Sequence, residues 1–374
     1  MRKLWRFEVA SNVNRRGSSI PLTGVLATFL VAGLLLTLCG CAPEGSTTSG
    51  PKLVLNGAGA TFPAPVYSVW AYNYSESTGE RVLINYQGTG SGAGINQLKE
   101  GTIDFAGCDY PQTTEDLREQ KLHQFPMLGG GIVLVVNIPG IEGDKLRLTP
   151  ETLSRIFLGE IVTWNDPALQ ADNKDLTLPQ LPITVVHRSD ASGTSFLFTQ
   201  YLSAVSDQWR ETAGAGPAIN WPVGIGGQKN PGVCSAVGKT AGAIGYTEYT
   251  FALESKLACA CLRNSFGTFV KPNPESFASA LTAQADSGQE TQAAFAIQKN
   301  ENDWPIVGIT WIVMRDSLDE TRKKELENYF KWCFDEGQTT AEKLHYIIMP
   351  APNAEVESEG VNDAERKSQT EEQQ

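Results

Sequence analysis

Histidine is scarce in this sequence, and acidic residues outnumber basic ones. The 374 residues include 3 histidines, and 30 lysines and arginines stand against 42 aspartates and glutamates, giving a formal net charge of −12. A protein that binds nucleic acid needs a basic surface, so nucleic acid is not an expected partner. His123 and His345 have no neighbours at metal-ligand spacing, so the sequence predicts neither a metal site nor a cofactor.

The serine motif of α/β-hydrolases is also missing. No serine lies in a G-x-S-x-G elbow. Ser195, His187 and Asp190 lie within one short segment, where three side chains rarely converge as a catalytic triad. The sequence therefore predicts a protein that is not an enzyme.

What is present is the composition of a soluble globular protein. Hydrophobic residues make up 41% of the chain and charged residues 19%. The length is sufficient for two domains, each with its own core.

The first forty residues resemble a bacterial secretion signal. Five basic residues occur in the first sixteen, the stretch from Ile20 to Leu38 is apolar and uncharged, and the string LCGC ends it at residues 38–41. This ending resembles a lipobox, which predicts removal of residues 1–40 and attachment of lipid, including palmitate, to Cys41. An uncleaved membrane anchor is the alternative, because the apolar run is close to spanning length. Either reading places the globular part outside the membrane, in the periplasm or an equivalent extracytoplasmic space.

Two flexible segments are expected beside the globular part. Residues 41–52 are rich in proline, glycine, serine and threonine and read as a tether. Residues 353–374 are strongly acidic and almost free of apolar residues, so we expect them to be disordered. Residues 1–40 hold five basic residues and one acidic residue, and their removal changes the net charge from −12 to −16.

The cysteines do not form a metal motif. Cys259 and Cys261 lack zinc-knuckle spacing and have no nearby histidine. An oxidising compartment favours disulfides, so we expect one or two disulfides plus a free buried thiol, without assigning the pairing. The cysteines concerned are Cys108, Cys234, Cys259, Cys261 and Cys333.

Apolar strand-like runs alternate with helical patterns, which predicts an α/β fold. The expected strands are Val82–Tyr86, Ile103–Ala106, Ile132–Ile138, Ile183–Val186 and Ile306–Val313. The expected helices are Ala64–Thr78, Gly94–Glu100, Thr114–Lys121, Pro150–Leu158, Thr194–Val205, Glu275–Ala283, Gln289–Asn300 and Leu318–Glu336.

Four short segments place small or hydroxyl residues where a helix is expected to begin. They are GAGATFPAP at 57–65, YQGTGSGAG at 86–94, IDFAGCDYP at 103–111 and HRSDASGTS at 187–195. A helix N-terminus carries unpaired N–H groups and about half a positive charge, so it attracts anions. Together the four segments indicate an anion-binding site.

The first three segments also have ordinary interpretations, as a capped helix start, a glycine-rich hairpin and a turn or N-cap at Asp109. The fourth segment is the most informative. Arg188 supplies a rigid two-pronged donor for an oxyanion, and Asp190 is placed to orient it. A surface ion pair beside a capped helix would explain Arg188 and Asp190 separately, but it explains the combination poorly.

Taken together, these strings resemble the phosphate-binding subunit of the bacterial high-affinity phosphate ABC transporter. The resemblance extends over about residues 53–350 and includes WPVG at 221–224 and GAIGY at 242–246. It implies a two-lobed periplasmic-binding-protein fold with two hinge crossovers and a ligand cleft between the lobes. It also implies a monomer whose partners are inorganic phosphate and the permease subunits of an ABC importer.

The same resemblance implies a set of phosphate contacts, with the backbone N–H of Phe62 among them. The residues at the family's contact positions are Thr61, Phe62, Ser91, Asp109, Arg188, Asp190, Ser192, Gly193 and Thr194. The chain departs from the pattern at Cys108, where the family often has serine.

We expect lobe one to comprise residues 53–128 plus 308–352, and lobe two residues 129–307. The crossovers are expected near Leu128–Gly131 and Trp304–Gly308. Phosphate would then contact both lobes and favour their closed arrangement.

Asp109 is the expected selectivity element. An ionised carboxylate only accepts hydrogen bonds, and phosphate near neutral pH retains a proton to donate, whereas sulfate has none. A binding protein for sulfate or molybdate is the nearest alternative, and a phosphate-ester hydrolase is a less favoured one.

Overall fold

Strands and helices alternate along most of the chain, as the sequence predicts. The structure is a computed structural model that describes residues 52–141, 143–285 and 298–350. The strands are β1 Leu53–Gly59, β2 Val82–Gly88, β3 Phe105–Cys108, β4 Leu122–Asn137, β5 Arg147–Leu148, β6 Thr184–Arg188, β7 Ile225–Gly227, β8 Ala243–Glu248, β9 Ala258–Cys259, β10 Cys261–Arg263, β11 Phe269–Val270, β12 Val307–Arg315 and β13 Ile347–Ile348. The helices are α1 Ala64–Ser77, α2 Ser91–Lys99, α3 Thr114–Gln120, α4 Pro150–Leu158, α5 Pro167–Asp172, α6 Gly193–Val205, α7 Asp207–Thr212, α8 Lys229–Lys239, α9 Tyr249–Glu254, α10 Pro274–Ala285, α11 Glu320–Asp335 and α12 Gln338–Lys343.

Several predictions lie outside the described residues. They are the secretion signal, the lipidation site Cys41, the tether except for Lys52, the acidic tail and most of the expected helix Gln289–Asn300. Within the described residues, no helix combines the length and the apolar character needed to span a membrane.

One continuous ten-stranded sheet organises the described chain. Its main order is β2-β1-β3-β12-β4-β8-β6-β7, with β9 and β13 also pairing with β4. The strands β2, β1 and β3 are parallel to one another, and so are β8, β6 and β7. The two parallel groups are joined by β12 and β4, which run antiparallel to their neighbours.

The long strand β4 changes partners near its middle. Its first part pairs with β12 up to Gly131, which lies opposite Val307. From Ile132 onward it pairs with β8. The indole N–H of Trp304 donates to the carbonyl of Ile132 at 2.9 Å, so a buried side chain holds this junction.

Three consecutive glycines precede the junction in β4 and leave room for side chains to pack against the strand. A methyl group on Gly131 would lie 2.4 Å from the ring of Phe277, and one on Gly129 would lie 2.4 Å from Leu281. Side chains at these positions would therefore force α10 away from the strand.

Candidate functional site

The four segments singled out in the sequence meet in the structure. Each lies at the carboxyl end of a parallel strand: 57–65 includes the end of β1, 86–94 the end of β2, 103–111 all of β3, and 187–195 the end of β6. Ligand groups in α/β sheets collect at such strand ends. The side chains of seven of the predicted contact residues are buried there, namely Thr61, Phe62, Ser91, Asp109, Arg188, Ser192 and Thr194.

The segments that follow the two parallel groups of strands approach each other closely at Gly193, the first residue of α6. A methyl group on Gly193 would lie 2.4 Å from Cβ of Asp109 and 2.6 Å from both Oδ2 of Asp109 and Oγ of Ser91. The N–H of Gly92 also donates to the carbonyl of Ala191 at 3.2 Å. The starts of α2 and α6 and the end of β3 therefore converge on one small region.

Helix α6 has the N-terminal geometry that the sequence predicts. The Ser192 side chain is the N-cap and accepts a hydrogen bond from the N–H of Ser195 at 3.1 Å. Its hydroxyl is therefore engaged with the helix backbone, while Gly193 faces Asp109. Ser192 thus orients the helix start, which is the anion-attracting end of the helix.

Arg188 is fixed by two neighbours. Its Nε and Nη2 donate to the two oxygens of Asp190, at 2.8 and 2.5 Å, and its Nη1 donates to Oδ1 of Asn230 at 2.8 Å. Its side chain is only 1% exposed, so the charge depends on these partners for stabilisation. One proton on each terminal nitrogen remains for a further acceptor.

Asp190 is held as the anionic partner of Arg188. Burial acts to raise its pKa, but the hydrogen bonds and charge of Arg188 outweigh burial and hold the pKa below its usual value. The N–H of Lys229 adds a further donor to Asp190, at 2.9 Å. Asp190 therefore orients the guanidinium as predicted from its spacing.

Asp109 is buried at the end of β3 with its two oxygens in different surroundings. Oδ1 accepts from the hydroxyl of Thr310 at 2.7 Å, while Oδ2 lies on the side of Gly193. Burial raises the pKa of Asp109 to about 7, against the lowering effects of Thr310, the charge of Arg188 and Ser91. The carboxyl group is therefore a hydrogen-bond acceptor above about neutral pH.

Three buried donors near this region have no hydrogen-bond partner among the described residues. They are the hydroxyls of Thr61 and Thr194 and the amide nitrogen of Asn230. Buried polar atoms are nearly always paired, and an unpaired one costs about 1–3 kcal/mol. These donors, together with Arg188, fit an oxyanion better than a cation or an apolar ligand.

Sequence reasoning missed three residues of this site. Thr310 and Asn230 contact Asp109 and Arg188 from distant elements, β12 and α8. Tyr246 of β8 accepts from the backbone N–H of Arg188 at 3.1 Å. The matched string GAIGY includes Tyr246 and could have pointed to it, whereas nothing around Thr310 or Asn230 marks either residue.

The side chains considered as a catalytic triad have other partners. The hydroxyl of Ser195 lies 2.6 Å from the hydroxyl of Tyr246, and Nδ1 of His187 lies 3.0 Å from the carbonyl oxygen of Arg188. The carboxylate of Asp190 is bound by Arg188. Among the described residues there is also no cluster of three or more metal-ligating side chains.

The disulfide prediction is wrong for this structure. The five cysteines of the described chain, Cys108, Cys234, Cys259, Cys261 and Cys333, are all free thiols. Four of them are buried, and burial raises the pKa of Cys108 far above its usual value. They pack as small apolar residues, a role that cysteine commonly has in protein interiors.

Glu248 is a second buried carboxyl group, and a proton count at its contacts indicates that it carries a proton. The hydroxyl of Tyr346 lies 2.8 Å from Oε2 of Glu248 and 2.7 Å from the carbonyl oxygen of Phe62. A tyrosine hydroxyl has one proton, so only one contact can use it, and the other requires a proton on Glu248. Burial accordingly raises the pKa of Glu248 from its usual 4.5 to about 8, against the lowering effect of the hydrogen bonds that the backbone N–H and the hydroxyl of Thr250 donate to Oε1.

Glu248→Gln is expected to make the free energy of unfolding less dependent on pH. The pKa of Glu248 is higher in the folded state, so its contribution to stability is present at low pH and is lost as pH rises through about 8. A glutamine amide keeps both contacts at every pH. Urea unfolding at about pH 9 should therefore show the variant more stable than the wild type by roughly 2–4 kcal/mol.

The exposed residue Glu254, on α9, provides the control for that measurement. Glu254→Gln removes the same charge and should follow the wild-type pH dependence. If Glu248→Gln also followed the wild type at every pH, Glu248 would not be protonated in the folded state.

Comparison with known proteins places this geometry in a family. The profile of the PBP superfamily domain matches residues 43–336. The chain is 40% identical over 345 residues to "Phosphate-binding protein PstS" from Xylella fastidiosa strain Temecula1, an alignment that covers 87% of this chain and 94% of the relative.

Solved structures show the same fold. A "high affinity periplasmic phosphate-binding protein (PfluDING) bound with phosphate" superposes with a TM-score of 0.60 at 20% identity, covering 80% of this chain and 91% of that one. An "ABC-type phosphate transport receptor from Vibrio cholerae" superposes with a TM-score of 0.51 at 20% identity, covering 79% of this chain and all of the other. The predicted two-lobed α/β fold is confirmed.

Proposed function

Because this chain belongs to the PBP superfamily, and within it to the phosphate-binding protein family PstS, we propose that it binds inorganic phosphate outside the membrane and delivers it to an ABC-type importer. One observation carries the proposal. The buried carboxyl group of Asp109 lies beside Gly193 at the start of α6, near the buried guanidinium of Arg188, which Asp190 holds. This pairing fits an anion that also carries a proton.

The contacts follow from the donors and acceptors of the site. The free protons of Arg188, the start of α6 and the hydroxyls of Thr61 and Thr194 would donate to phosphate oxygens. The backbone N–H of Phe62 and the hydroxyl of Ser91 would complete the set of donors. The proton of the ligand would be donated to Asp109.

The change of partner in β4 supports the proposed division into lobes. Lobe one would comprise residues 53–128 plus 308–352, and lobe two residues 129–307, with β4 and β12 as the hinge strands. Thr61, Ser91 and Asp109 would then bind from lobe one, and the segment from Arg188 to Thr194 from lobe two. A ligand that contacts both lobes stabilises their closed arrangement by its differential contacts.

We also propose how the protein is presented to its transporter. A lipid on Cys41 would hold a monomer at the membrane surface in the periplasm, and residues 41–52 would let it reach the permease subunits. Mass spectrometry of the mature N-terminus tests this proposal, with a diacylglyceryl-modified Cys41 expected and an intact residue 1–40 segment contradicting it.

Phosphate affinity is expected to change little with salt, by less than about threefold between roughly 0.05 and 0.5 M sodium chloride. The reason is that the donors are buried and contact the ligand directly, whereas the net charge of the whole chain is negative and repels anions. Titration calorimetry at the two salt concentrations measures this. A steep loss of affinity with salt would indicate binding by long-range surface charge instead.

Titration of ligand-stripped protein with phosphate, arsenate and sulfate tests the function itself. We expect one phosphate per chain, arsenate as a weaker competitor, and sulfate weaker by about 100-fold or more at about pH 8. Equal binding of sulfate would favour the alternative of a general oxyanion carrier. Release of phosphate from a phosphomonoester would favour the hydrolase alternative.

A further inference from the structure

Thr310 reaches the site from a strand that none of the four segments includes. It is fully buried in β12, at the point where the register with β4 shifts: Thr310 lies opposite Leu128, but Trp311 lies opposite Pro126. Proline has no N–H to offer to a strand neighbour, and a bulge of this kind turns side chains to new directions. The bulge therefore coincides with the residue whose side chain reaches Asp109.

The hydrogen bond of Thr310 distinguishes the two oxygens of Asp109. Its hydroxyl donates to Oδ1 at 2.7 Å, so Oδ1 is occupied, and Oδ2 is the oxygen on the side of Gly193. A donor at Oδ1 favours the form of the carboxyl group in which this oxygen is an acceptor. The hydrogen bond from Thr310 thus fixes the rotation of the Asp109 carboxyl group. It also favours the ionised form, which accepts hydrogen bonds.

We propose that Thr310 is a positioning residue that sets anion selectivity: its hydroxyl keeps Asp109 a hydrogen-bond acceptor with Oδ2 turned to the ligand. This inference rests on the proposed function and goes further by assigning the selectivity to a pair of side chains. Without the hydroxyl, Asp109 gains a proton more readily, and a protonated carboxyl group can donate to a fully deprotonated anion such as sulfate.

The other titratable groups near Asp109 keep their charge state near neutral pH. Those that face it are Arg188 of β6, Tyr67 of α1, Tyr86 of β2, and Cys108 and Tyr110 beside it. Burial raises the pKa of the three tyrosines and of the cysteine, so all four stay neutral near pH 7, and arginine stays charged. Asp109 is therefore the group among them that changes charge around neutrality.

Sulfate affinity as a function of pH tests the proposal, because sulfate itself gains no proton between about pH 5 and pH 9. In wild type we expect sulfate binding to strengthen as pH falls through the pKa of Asp109. In Thr310→Val, which removes the hydroxyl at nearly constant volume, the midpoint should shift upward by about one pH unit. Sulfate affinity at about pH 8 should then rise by up to roughly tenfold, with a smaller change for phosphate.

Thr310→Ser is the matched control, since serine keeps the hydroxyl donor. The midpoint of sulfate binding in this variant should lie within a few tenths of a pH unit of the wild-type value. An independent readout is the titration of the ¹³C-labelled Asp109 carboxyl group in ligand-free protein, which should show the same upward shift in the valine variant. Unchanged midpoints in both measurements would overturn the proposal. Failure of the wild type to bind phosphate would instead overturn the proposed function, so the two results are distinguishable.

Discussion

Asp109→Asn is expected to abolish most of the discrimination between phosphate and sulfate. The hydroxyl of Thr310 donates to Oδ1, so the amide oxygen of asparagine should take that position and the NH₂ group the position of Oδ2. The variant would then offer a donor where the wild type offers an acceptor. Sulfate then meets a donor without the roughly tenfold cost of protonating Asp109 at about pH 8, and since phosphate loses the acceptor for its proton, the ratio of the two affinities should fall by about 10²-fold.

Phosphate affinity itself should fall by less, about tenfold, because Arg188 and the helix starts are unchanged. Titration calorimetry with both anions at about pH 8, where the wild-type carboxyl group is ionised, measures the two effects. The exposed Asp175 offers a matched control, since Asp175→Asn removes the same charge from the chain and should leave both affinities unchanged. Equal selectivity in wild type and Asp109→Asn would refute the assigned role.

Gly193→Ala is expected to weaken phosphate binding by about 100-fold or more, equivalent to roughly 2.7 kcal/mol. The added methyl group would lie 2.4 Å from Cβ of Asp109, an atom attached directly to the backbone of the residue that follows β3. Closely packed atoms cannot absorb such an overlap, so α6 would have to move away from Asp109 and Ser91. Phosphate could then contact either the residues around Asp109 and Ser91 or those at the start of α6, but not both at once.

Gly238 provides a control for the effect of alanine in a helix. It is an exposed residue of α8, and a methyl group there would meet only Leu257 at 3.6 Å, an ordinary contact. Gly238→Ala should leave affinity unchanged and, if anything, raise the thermal stability. If Gly193→Ala bound phosphate as tightly as wild type, the close approach of α6 to Asp109 would not be needed for binding.

The alternation of strands and helices could be predicted because it follows the period of the apolar residues. Helix α1 was expected at Ala64–Thr78 and occurs at Ala64–Ser77. Strand β4 was predicted only from Ile132 onward, yet it begins at Leu122. Proline and glycine usually interrupt strands, whereas in this fold Pro126 lies at a bulge and the glycines at 129–131 leave room for packing.

Glycine and proline are also the reason why the start of α2 and the whole of α8 were not predicted from the sequence. Helix α2 was expected to start at Gly94, but it starts at Ser91, because the glycines pack closely against neighbouring backbone instead of forming a turn. Helix α8 was not predicted at all, since its first residues include proline and glycine. Asn230, which binds Arg188, lies in that helix and was missed with it.

The candidate site was only partly visible in the sequence, for a physical reason. Arg188, Asp190 and the start of α6 are neighbours in the chain, so their spacing indicates their contact. Thr310 is 201 residues from Asp109, and only the pairing of β12 with β3 and β4 brings the two together. The proton on Glu248 likewise depends on Tyr346, which is distant in sequence.

A crystal structure of the protein grown with phosphate at about pH 8 would test the central claim most directly. We expect one tetrahedral anion within about 3 Å of the Arg188 guanidinium, the start of α6 and Oδ2 of Asp109, with Thr310 still bound to Oδ1. A phosphate bound elsewhere, or an Asp109 carboxyl group turned away from the anion, would contradict the account.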